Sequence, residues 1–370
     1  MKDFIINNPS NLLVENSTNK ILKKSKPLIY HKKLRNYFKT PLYELSGLSN
    51  NLNITNLFIK DESQRFGLNA FKGLGASYAV SLILKNKPKV SVFCTATDGN
   101  HGKALAWSSK MYNRKCVVYV PRNTSKLRIK GISSYGAKVE MLDLNYENTC
   151  KYAFNISLKN NWEFVQDASW DNYETIPAYI MSGYLTHLIE MQDTINFINK
   201  PSIDIVFLQC GVGSWAASCI WYYLNRYGIN RPKIILVEPN ESSGVYDSLN
   251  NGKRVSPVGN LTTIMAGLNC GIPSKSAWNI IKSGCDGVIK ISDNRVKSSM
   301  KLLYNPYKND SKIISGESGA AGLAGLIKCL SDEKVKKLKK HIGLDKNSRI
   351  LLFNTEGNTD KESFLRIINN

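Results

Sequence analysis

The pattern of hydrophobic and polar positions predicts short strands that alternate with helices from about residue 90 onward. The first series of short apolar runs lies at 90–97, 116–120, 138–143 and 163–167. Segments of helical pattern separate these runs, at 101–114, 125–135 and 146–160. Short buried strands in alternation with helices are typical of βαβ units, so this part of the chain predicts a parallel sheet.

A second series of strand-like runs begins after residue 200. Its members lie at 203–210, 233–239, 287–292 and 349–357. We expect the N-terminal 60 residues to add an arm and one strand, at 56–62, to this second sheet. The sequence therefore predicts an α/β fold of two domains, each a mainly parallel twisted sheet flanked by helices. The predicted large domain comprises residues 1–88 and 188–370, and the predicted small domain comprises residues 89–187.

Polar or glycine-rich turns follow four of the predicted strands. They read TDGNHG (97–102), QDASW (166–170), CGVGSW (210–215) and NTEGNTD (354–360). In open parallel sheets, ligands bind beyond the carboxyl ends of the strands. Four such turns at one edge predict a substrate cleft between the two domains.

The turn CGVGSW has the composition of a phosphate-binding loop. Gly211, Gly213 and Ala216 match the pattern G-x-G-x-x-A between a strand and a helix, and Glu238 ends the next strand, as in dinucleotide-binding folds. Glycines let backbone N–H groups approach a phosphate, and the helix N-terminus adds positive potential. We interpret the loop as a phosphate site; tight packing of strand against helix is the alternative.

Lys72 stands alone in the apolar stretch RFGLNAFKGLGASYAV (65–80). An amine beside apolar surface loses solvation of its charged form, so we expect its pKa to fall below the usual value of about 10.4. Such an amine suits an imine with an aldehyde. The alternative is a surface lysine whose stem packs on the protein. An aldehyde that also carries a phosphate is pyridoxal 5′-phosphate, which would use both features.

Acidic and polar residues at two other strand ends are further candidates for the site. Asp98, Asn100 and His101 lie on a turn before a helix, and Asp167 ends a strand. Residues of these types also form turns and cap helices without any catalytic role. Their interpretation therefore depends on the motifs taken together.

Taken together, the motifs identify a family. The chain resembles the fold type II (tryptophan synthase β-like) family of pyridoxal-phosphate enzymes and, within it, the diaminopropionate ammonia-lyases. The matching segments follow in family order from about residue 60 to residue 360, and they read RFGLNAFKGLGASYA, TDGNHG, QDASW, GVG, TIMAGL, SGESGA and NTEG. Gly73, Ala76, Lys103 and Cys210 depart from the pattern that we would expect.

The resemblance implies roles in cofactor binding. Lys72 would form the Schiff base, Asn100 would contact the ring oxygen of the cofactor, and Thr355 would lie near its pyridine nitrogen. The residues implied to hold the phosphate are Gly211, Val212, Gly213 and Ser214. No metal is implied.

The resemblance also implies a reaction, with Lys72, Asp98 and Asp167 as catalytic residues. It is the elimination of ammonia from D- or L-2,3-diaminopropionate, a small amino acid, to give pyruvate and ammonia. Asp98 and Asp167 match acids that face the substrate. The alternatives are a serine or threonine dehydratase, a β-replacement synthase and, more distantly, a nicotinamide-dependent oxidoreductase that uses the glycine loop. Homodimers are usual in this fold type, so a homodimer is expected.

Composition and charge narrow the remaining classes. The formal net charge is +21, but the lysines are spread along the whole chain, and we expect no nucleic-acid partner because a binding face concentrates its charge. No segment has the apolar length of a signal peptide or a membrane span. The eight cysteines form no CxxC pair, which favours reduced thiols and a cytoplasmic protein. Whether Cys270 and Cys285 pair is left open.

Overall fold

A computed structural model describes residues 2–97, 99–122, 124–195 and 202–369. Within these ranges the strands are β1 (Phe4–Ile6), β2 (Leu42–Glu44), β3 (Asn56–Asp61), β4 (Val92–Ala96), β5 (Lys115–Pro121), β6 (Lys138–Leu142), β7 (Glu163–Phe164), β8 (Ile205–Gln209), β9 (Lys233–Pro239), β10 (Gly287–Ile291) and β11 (Arg349–Asn354). They form two sheets, as the sequence predicts.

Helices cover both sheets. The α-helices are α1 (Ser17–Lys24), α2 (Pro27–His31), α3 (Ser46–Asn51), α4 (Lys72–Asn86), α5 (Asn100–Met111), α6 (Lys126–Ser133), α7 (Tyr146–Lys159), α8 (Thr175–Glu190), α9 (Gln192–Ile195), α10 (Ser214–Tyr227), α11 (Gly244–Asn250), α12 (Lys275–Gly284), α13 (Asp293–Tyr304), α14 (Ala321–Ser331), α15 (Lys336–His341) and α16 (Lys361–Asn369). Short 3-10 turns lie at Arg65–Gly67, Gly228–Asn230, Ala266–Leu268 and Glu333–Val335.

The larger sheet has the strand order β1-β10-β9-β8-β11-β3-β2. Its five central strands run parallel, and β1 and β2 pair antiparallel at the two edges. The expected strand at 56–62 is β3, and it joins this sheet. The N-terminal segment contributes β1 and β2 as well, which the sequence pattern misses because runs of three residues show no periodicity.

The smaller sheet is wholly parallel, with the order β6-β5-β4-β7. Its last strand is shorter than the run at 163–167 predicts. The ladder ends because the backbone N–H of Gln166 donates to the Tyr173 hydroxyl, at 2.9 Å, rather than to a neighbouring strand. The chain then turns into the cleft, where Asp167 lies.

Helix α4, which begins at Lys72, is held by close contact with α8. An added Cβ at Gly183 would lie 2.2 Å from the carbonyl oxygen of Leu74, and one at Gly75 would lie 2.5 Å from the ring of Tyr184. The two glycines therefore set how closely the helices approach. Helix α8 crosses the predicted domain boundary at 187/188, and the boundaries remain a prediction.

A buried charge network fixes the chain just before α4. The Arg65 guanidinium is fully buried, and it donates to Glu62, at 2.7 Å, and to Glu190, at 2.8 Å. Lys60 completes a set of two cations and two carboxylates by donating to Glu190 at 2.8 Å. Because every charge is paired, the network holds β3, α8 and the segment leading to Lys72 together without a net buried charge.

Candidate active site

The four polar turns meet at one cleft between the sheets. Asn100, Asp167, Ser214 and Thr355 each line it, and they come from the four different turns. About 960 Å³ of space lies between its atoms, including the solvent at its mouth.

Lys72 is the first residue of α4 and points into this cleft. Its side chain is 18 % exposed, and its amine pairs with the Asp167 carboxylate. The preceding backbone N–H, of Phe71, donates to the carbonyl oxygen of Thr355 at 3.1 Å. Lys72 and Thr355 are therefore fixed relative to each other by the backbone.

The pKa of Lys72 differs from the sequence-based expectation. Burial lowers the pKa of the amine, as predicted, but the Asp167 carboxylate, together with smaller effects of Tyr184 and Cys270, outweighs burial and raises the pKa above its ordinary value. The prediction was wrong because it considered only residues near Lys72 in sequence, whereas Asp167 lies 95 positions away. While it is paired with Asp167, the Lys72 amine is a positively charged ammonium, and it must lose a proton before it can act as a nucleophile or base.

Asp167 is held both through its carboxylate, by Lys72, and through its backbone carbonyl, by Ser214. The residue is 5 % exposed, and its carbonyl oxygen accepts a hydrogen bond from the Ser214 hydroxyl. Burial raises the pKa of Asp167, but Lys72 and, more weakly, His101 outweigh burial and lower it to about 2. Burial lowers the pKa of His101, whose Nε2 lies 2.9 Å from the carbonyl oxygen of Val165. Asp167 is thus an anion at neutral pH.

The glycine loop has the geometry of an anion site. Gly213 adopts a left-handed conformation, with φ at 92°, directly before α10, and no side chain caps this helix. An added Cβ at Gly211 would lie 3.0 Å from the Cys270 sulfur and 3.1 Å from the carbonyl oxygen of Gly267. The loop therefore needs glycine at both positions, and the uncapped N–H groups of α10 face the cleft, as phosphate binding requires.

Glu238 does not belong to this loop's ligand site. Its carboxylate accepts from the backbone N–H groups of Val245, at 2.9 Å, and Tyr246, at 2.8 Å, and so caps α11. Burial raises its pKa to about 8. The acid that a nicotinamide dinucleotide site would require is therefore engaged in helix capping, which removes the main support for that alternative.

Asn100 has a partner that sequence reasoning missed. Its side-chain nitrogen donates to Glu356 at 2.5 Å, and the backbone N–H of Ser318 donates to the other carboxylate oxygen at 3.0 Å. Glu356 and Ser318 also line the cleft. The acid within the NTEG turn was the available signal.

Gln209 is the second missed residue. It ends β8 directly before the glycine loop, and its side-chain nitrogen donates to the Thr355 hydroxyl at 2.9 Å. A buried polar residue at the end of an otherwise apolar strand was the signal. Asp98 lies outside the described residues, so the structure does not place it.

Lys103, which departs from the family pattern, and the cysteines have structural roles. The Lys103 amine donates to the carbonyl oxygen of Leu68 at 3.1 Å, and burial lowers its pKa. No disulfide forms among the eight cysteines, all of which lie within the described ranges, so no disulfide joins Cys270 to Cys285. In the same ranges no group of His, Cys, Asp and Glu side chains has the arrangement of a metal site.

These features fit pyridoxal 5′-phosphate. The cleft offers a lysine amine for the aldehyde, an uncapped helix N-terminus for the phosphate, and the Thr355 hydroxyl for the ring nitrogen. Each of these three features was identified as a candidate from the sequence. Their individual roles remain proposals.

Comparison with known proteins supports this cofactor. The family model described as pyridoxal-phosphate dependent enzyme matches residues 34–351. The diaminopropionate ammonia-lyase of Salmonella typhimurium is 38 % identical to the chain, over 92 % of the chain and 90 % of that protein. The enzyme of the same name from Escherichia coli is 34 % identical, over 92 % of the chain and 89 % of that protein.

Solved structures agree. The crystal structure of the Escherichia coli enzyme in complex with an aminoacrylate-PLP azomethine reaction intermediate matches with a TM-score of 0.89 at 32 % identity. Its complex with D-serine matches with a TM-score of 0.90 at 31 % identity. Both matches cover 100 % of the chain and 97 % of the solved chain. The predicted fold class, cofactor and family are confirmed. The chain belongs to the diaminopropionate ammonia-lyase family of pyridoxal-phosphate-dependent enzymes.

Proposed function

We propose that the protein is a carbon–nitrogen lyase that converts 2,3-diaminopropionate and one water to pyruvate and two ammonia. The observation that carries this proposal is the ion pair of Lys72 and Asp167 beside the uncapped end of α10. The pair supplies an amine for the cofactor and an anion for a second ammonium group. The relatives that share the fold carry this activity in their names.

The chain's own residues position the cofactor. Gly211, Val212, Gly213 and Ser214 would hold its phosphate, Asn100 its ring oxygen and Thr355 its ring nitrogen. When bound, pyridoxal phosphate supplies an aldehyde that joins to amines and a ring that spreads the charge left when Cα loses a proton. Asn100 reaches this position from the smaller sheet and is held there by Glu356.

Lys72 acts as the base. Its neutral amine takes the proton from Cα of the substrate, and the amine becomes an ammonium. The carboxylate of Asp167 then stabilises that ammonium, as the pair in the structure does. The raised pKa of Lys72 therefore favours proton uptake by this residue.

Asp167 also explains a preference for a diamine. A neutral Lys72 amine no longer forms an ion pair with Asp167, so the buried carboxylate would be available to another cation until Lys72 takes up its proton. The β-ammonium of diaminopropionate offers such a cation, whereas the hydroxyl of serine does not. A charge pair in a water-poor cleft discriminates strongly between the two.

We propose Asp98 as the second base, on the basis of its place in the TDGNHG motif. A base on the face of the substrate opposite Lys72 would remove the proton from the other enantiomer. One site would then act on both D- and L-diaminopropionate.

The cellular setting and assembly are likewise proposals. The lack of disulfides among the eight cysteines supports the cytoplasm. A homodimer interface is supported by three exposed apolar side chains, Leu12, Val14 and Ile229. Their two segments lie close together because Asn11 accepts a hydrogen bond from Arg231 at 3.0 Å. Among the described residues, none of the helices has both the length and the apolar character for crossing a membrane.

Replacing Lys72 tests cofactor attachment. For Lys72→Ala, pyruvate formation should fall by at least roughly 10²-fold, the contribution of a general base. Borohydride reduction followed by mass spectrometry should find a pyridoxyl group on Lys72 of the parent protein and none on the variant. In the matched control Lys103→Ala the group should remain on Lys72; a group on any other lysine of the parent protein contradicts the assignment.

Replacing Asp167 tests substrate preference. For Asp167→Asn, the ratio of kcat/KM for diaminopropionate to that for serine should fall roughly tenfold to a hundredfold, because a charged hydrogen bond is worth about 1.5–3 kcal/mol. The cofactor absorbance should persist. An unchanged ratio would show that another group recognises the β-ammonium.

Replacing Asp98 tests the second base. Asp98→Asn should lower activity on the D-isomer by roughly 10²-fold or more and activity on the L-isomer much less. Pyruvate assays with the separate enantiomers measure both. Equal losses of activity on the two isomers would exclude two bases on opposite faces of the substrate.

A further inference from the structure

We propose that Gln209 is a positioning residue that turns the hydroxyl proton of Thr355 into the cleft, toward the ring nitrogen of the cofactor. Gln209 itself touches no reacting atom in this account. The inference rests on the proposed role of Thr355 and adds the residue that determines which way its hydroxyl points.

The hydrogen-bond partners of Gln209 identify its amide nitrogen. Nε2 lies 2.9 Å from the carbonyl oxygen of Phe353 and 3.4 Å from that of Gly319. Carbonyl oxygens only accept hydrogen bonds, so the atom that faces both must be the nitrogen. Rotating the amide by half a turn would bring its oxygen against two carbonyl oxygens.

The same nitrogen fixes the role of Thr355. Nε2 lies 2.9 Å from Thr355 Oγ1, so the hydroxyl oxygen accepts from Gln209. A hydroxyl has a single proton, which therefore points away from Gln209. Within the described residues no acceptor takes this proton, and the Thr355 side chain lines the cleft.

Gln209 has little freedom to leave this arrangement. It is 2 % exposed and sits in β8, between β9 and β11 in the middle of the larger sheet. Its Oε1 is buried, and no partner for it occurs in the described part of the chain. Burying an unpaired acceptor costs stability, and such exceptions call for a functional reason. Orienting Thr355 is that reason.

The chemical consequence concerns the proton at the ring nitrogen. A Thr355 hydroxyl that accepts from Gln209 would donate its own proton to the ring nitrogen. Because the hydroxyl carries no negative charge, it would not stabilise a proton on that nitrogen. A carboxylate at the same place would hold one there. The amide of Gln209 thus sets how strongly the bound ring withdraws charge.

The test uses holoenzyme reconstituted with pyridoxal phosphate that carries ¹⁵N in its ring. In the parent protein the ¹⁵N resonance should lie in the range of an unprotonated pyridine. At a pH at which the carboxyl of Gln209→Glu is ionised, it is repelled by the carbonyl oxygens of Phe353 and Gly319 and can only accept, so Thr355 donates to it and turns its lone pairs toward the ring. The resonance should then move to the protonated range. A protonated resonance in the parent protein, or the same resonance in both proteins, overturns the proposal.

Two further variants guard against a trivial effect of the substitution. Gln166→Glu also buries a carboxylate, but its partners, the hydroxyls of Thr95 and Tyr146, can donate to it, so the ring resonance should stay unchanged. Gln209→Met adds no charge and frees Thr355 to rotate, so cofactor affinity should weaken roughly two- to tenfold, the effect of one hydrogen bond. A shifted resonance in Gln166→Glu or unchanged affinity in Gln209→Met overturns the proposal.

Failure of this inference is distinguishable from failure of the proposed function. Pyruvate release from diaminopropionate is measured on the same holoenzyme. An active parent protein with a protonated ring nitrogen rejects the role of Gln209 alone. A parent protein with an unprotonated ring nitrogen that releases no pyruvate supports the role of Gln209 and rejects the proposed substrate.

Discussion

The site depends on the buried ion pair between Lys72 and Asp167. Each partner comes from a different side of the cleft, since Lys72 begins a helix that follows the larger sheet's β3 and Asp167 follows the smaller sheet's β7. Neither charge is stable alone at this depth. Asp167 raises the pKa of Lys72, and Lys72 lowers the pKa of Asp167. The pair therefore requires that both sheets be in place before the lysine has the environment that its chemistry needs.

Other polar contacts across the cleft also hold the two sheets in the arrangement that the ion pair requires. The Ser214 hydroxyl donates to the carbonyl oxygen of Asp167, and Asn100 donates to Glu356. The turn after Asp167 is bound to the start of α12 through Ser169, whose backbone N–H donates to the Ser274 hydroxyl at 2.9 Å. The glycine loop, Lys72 and Asp167 are thus tied by hydrogen bonds in addition to apolar contacts, such as that between the rings of Phe71 and Trp215, whose centroids lie 5.5 Å apart.

The sequence predicts the parts whose signal is local. Apolar runs identify most strands of both sheets, and the residues that follow them identify the turns that line the cleft. The pKa of Lys72, by contrast, depends on Asp167, and the capping role of Glu238 depends on a helix that begins six residues later. Gln209 and Glu356 were missed for the same reason: their importance lies in partners, Thr355 and Asn100, that only the folded chain brings near. Strands β1 and β2 are too short for any pattern to show.

The central claim is that Asp167 controls the proton on Lys72. The most direct measurement is the rate at which the cofactor-free protein takes up pyridoxal phosphate, followed by absorbance as a function of pH, in the parent protein and in Asp167→Asn. Only the neutral amine reacts with an aldehyde, so the parent rate should keep rising into the alkaline range. Without the carboxylate charge, burial dominates the pKa of Lys72, and the rise should shift to lower pH, giving faster uptake at neutral pH. A parent rate that is already constant at neutral pH, or a variant profile identical to that of the parent, would contradict the account.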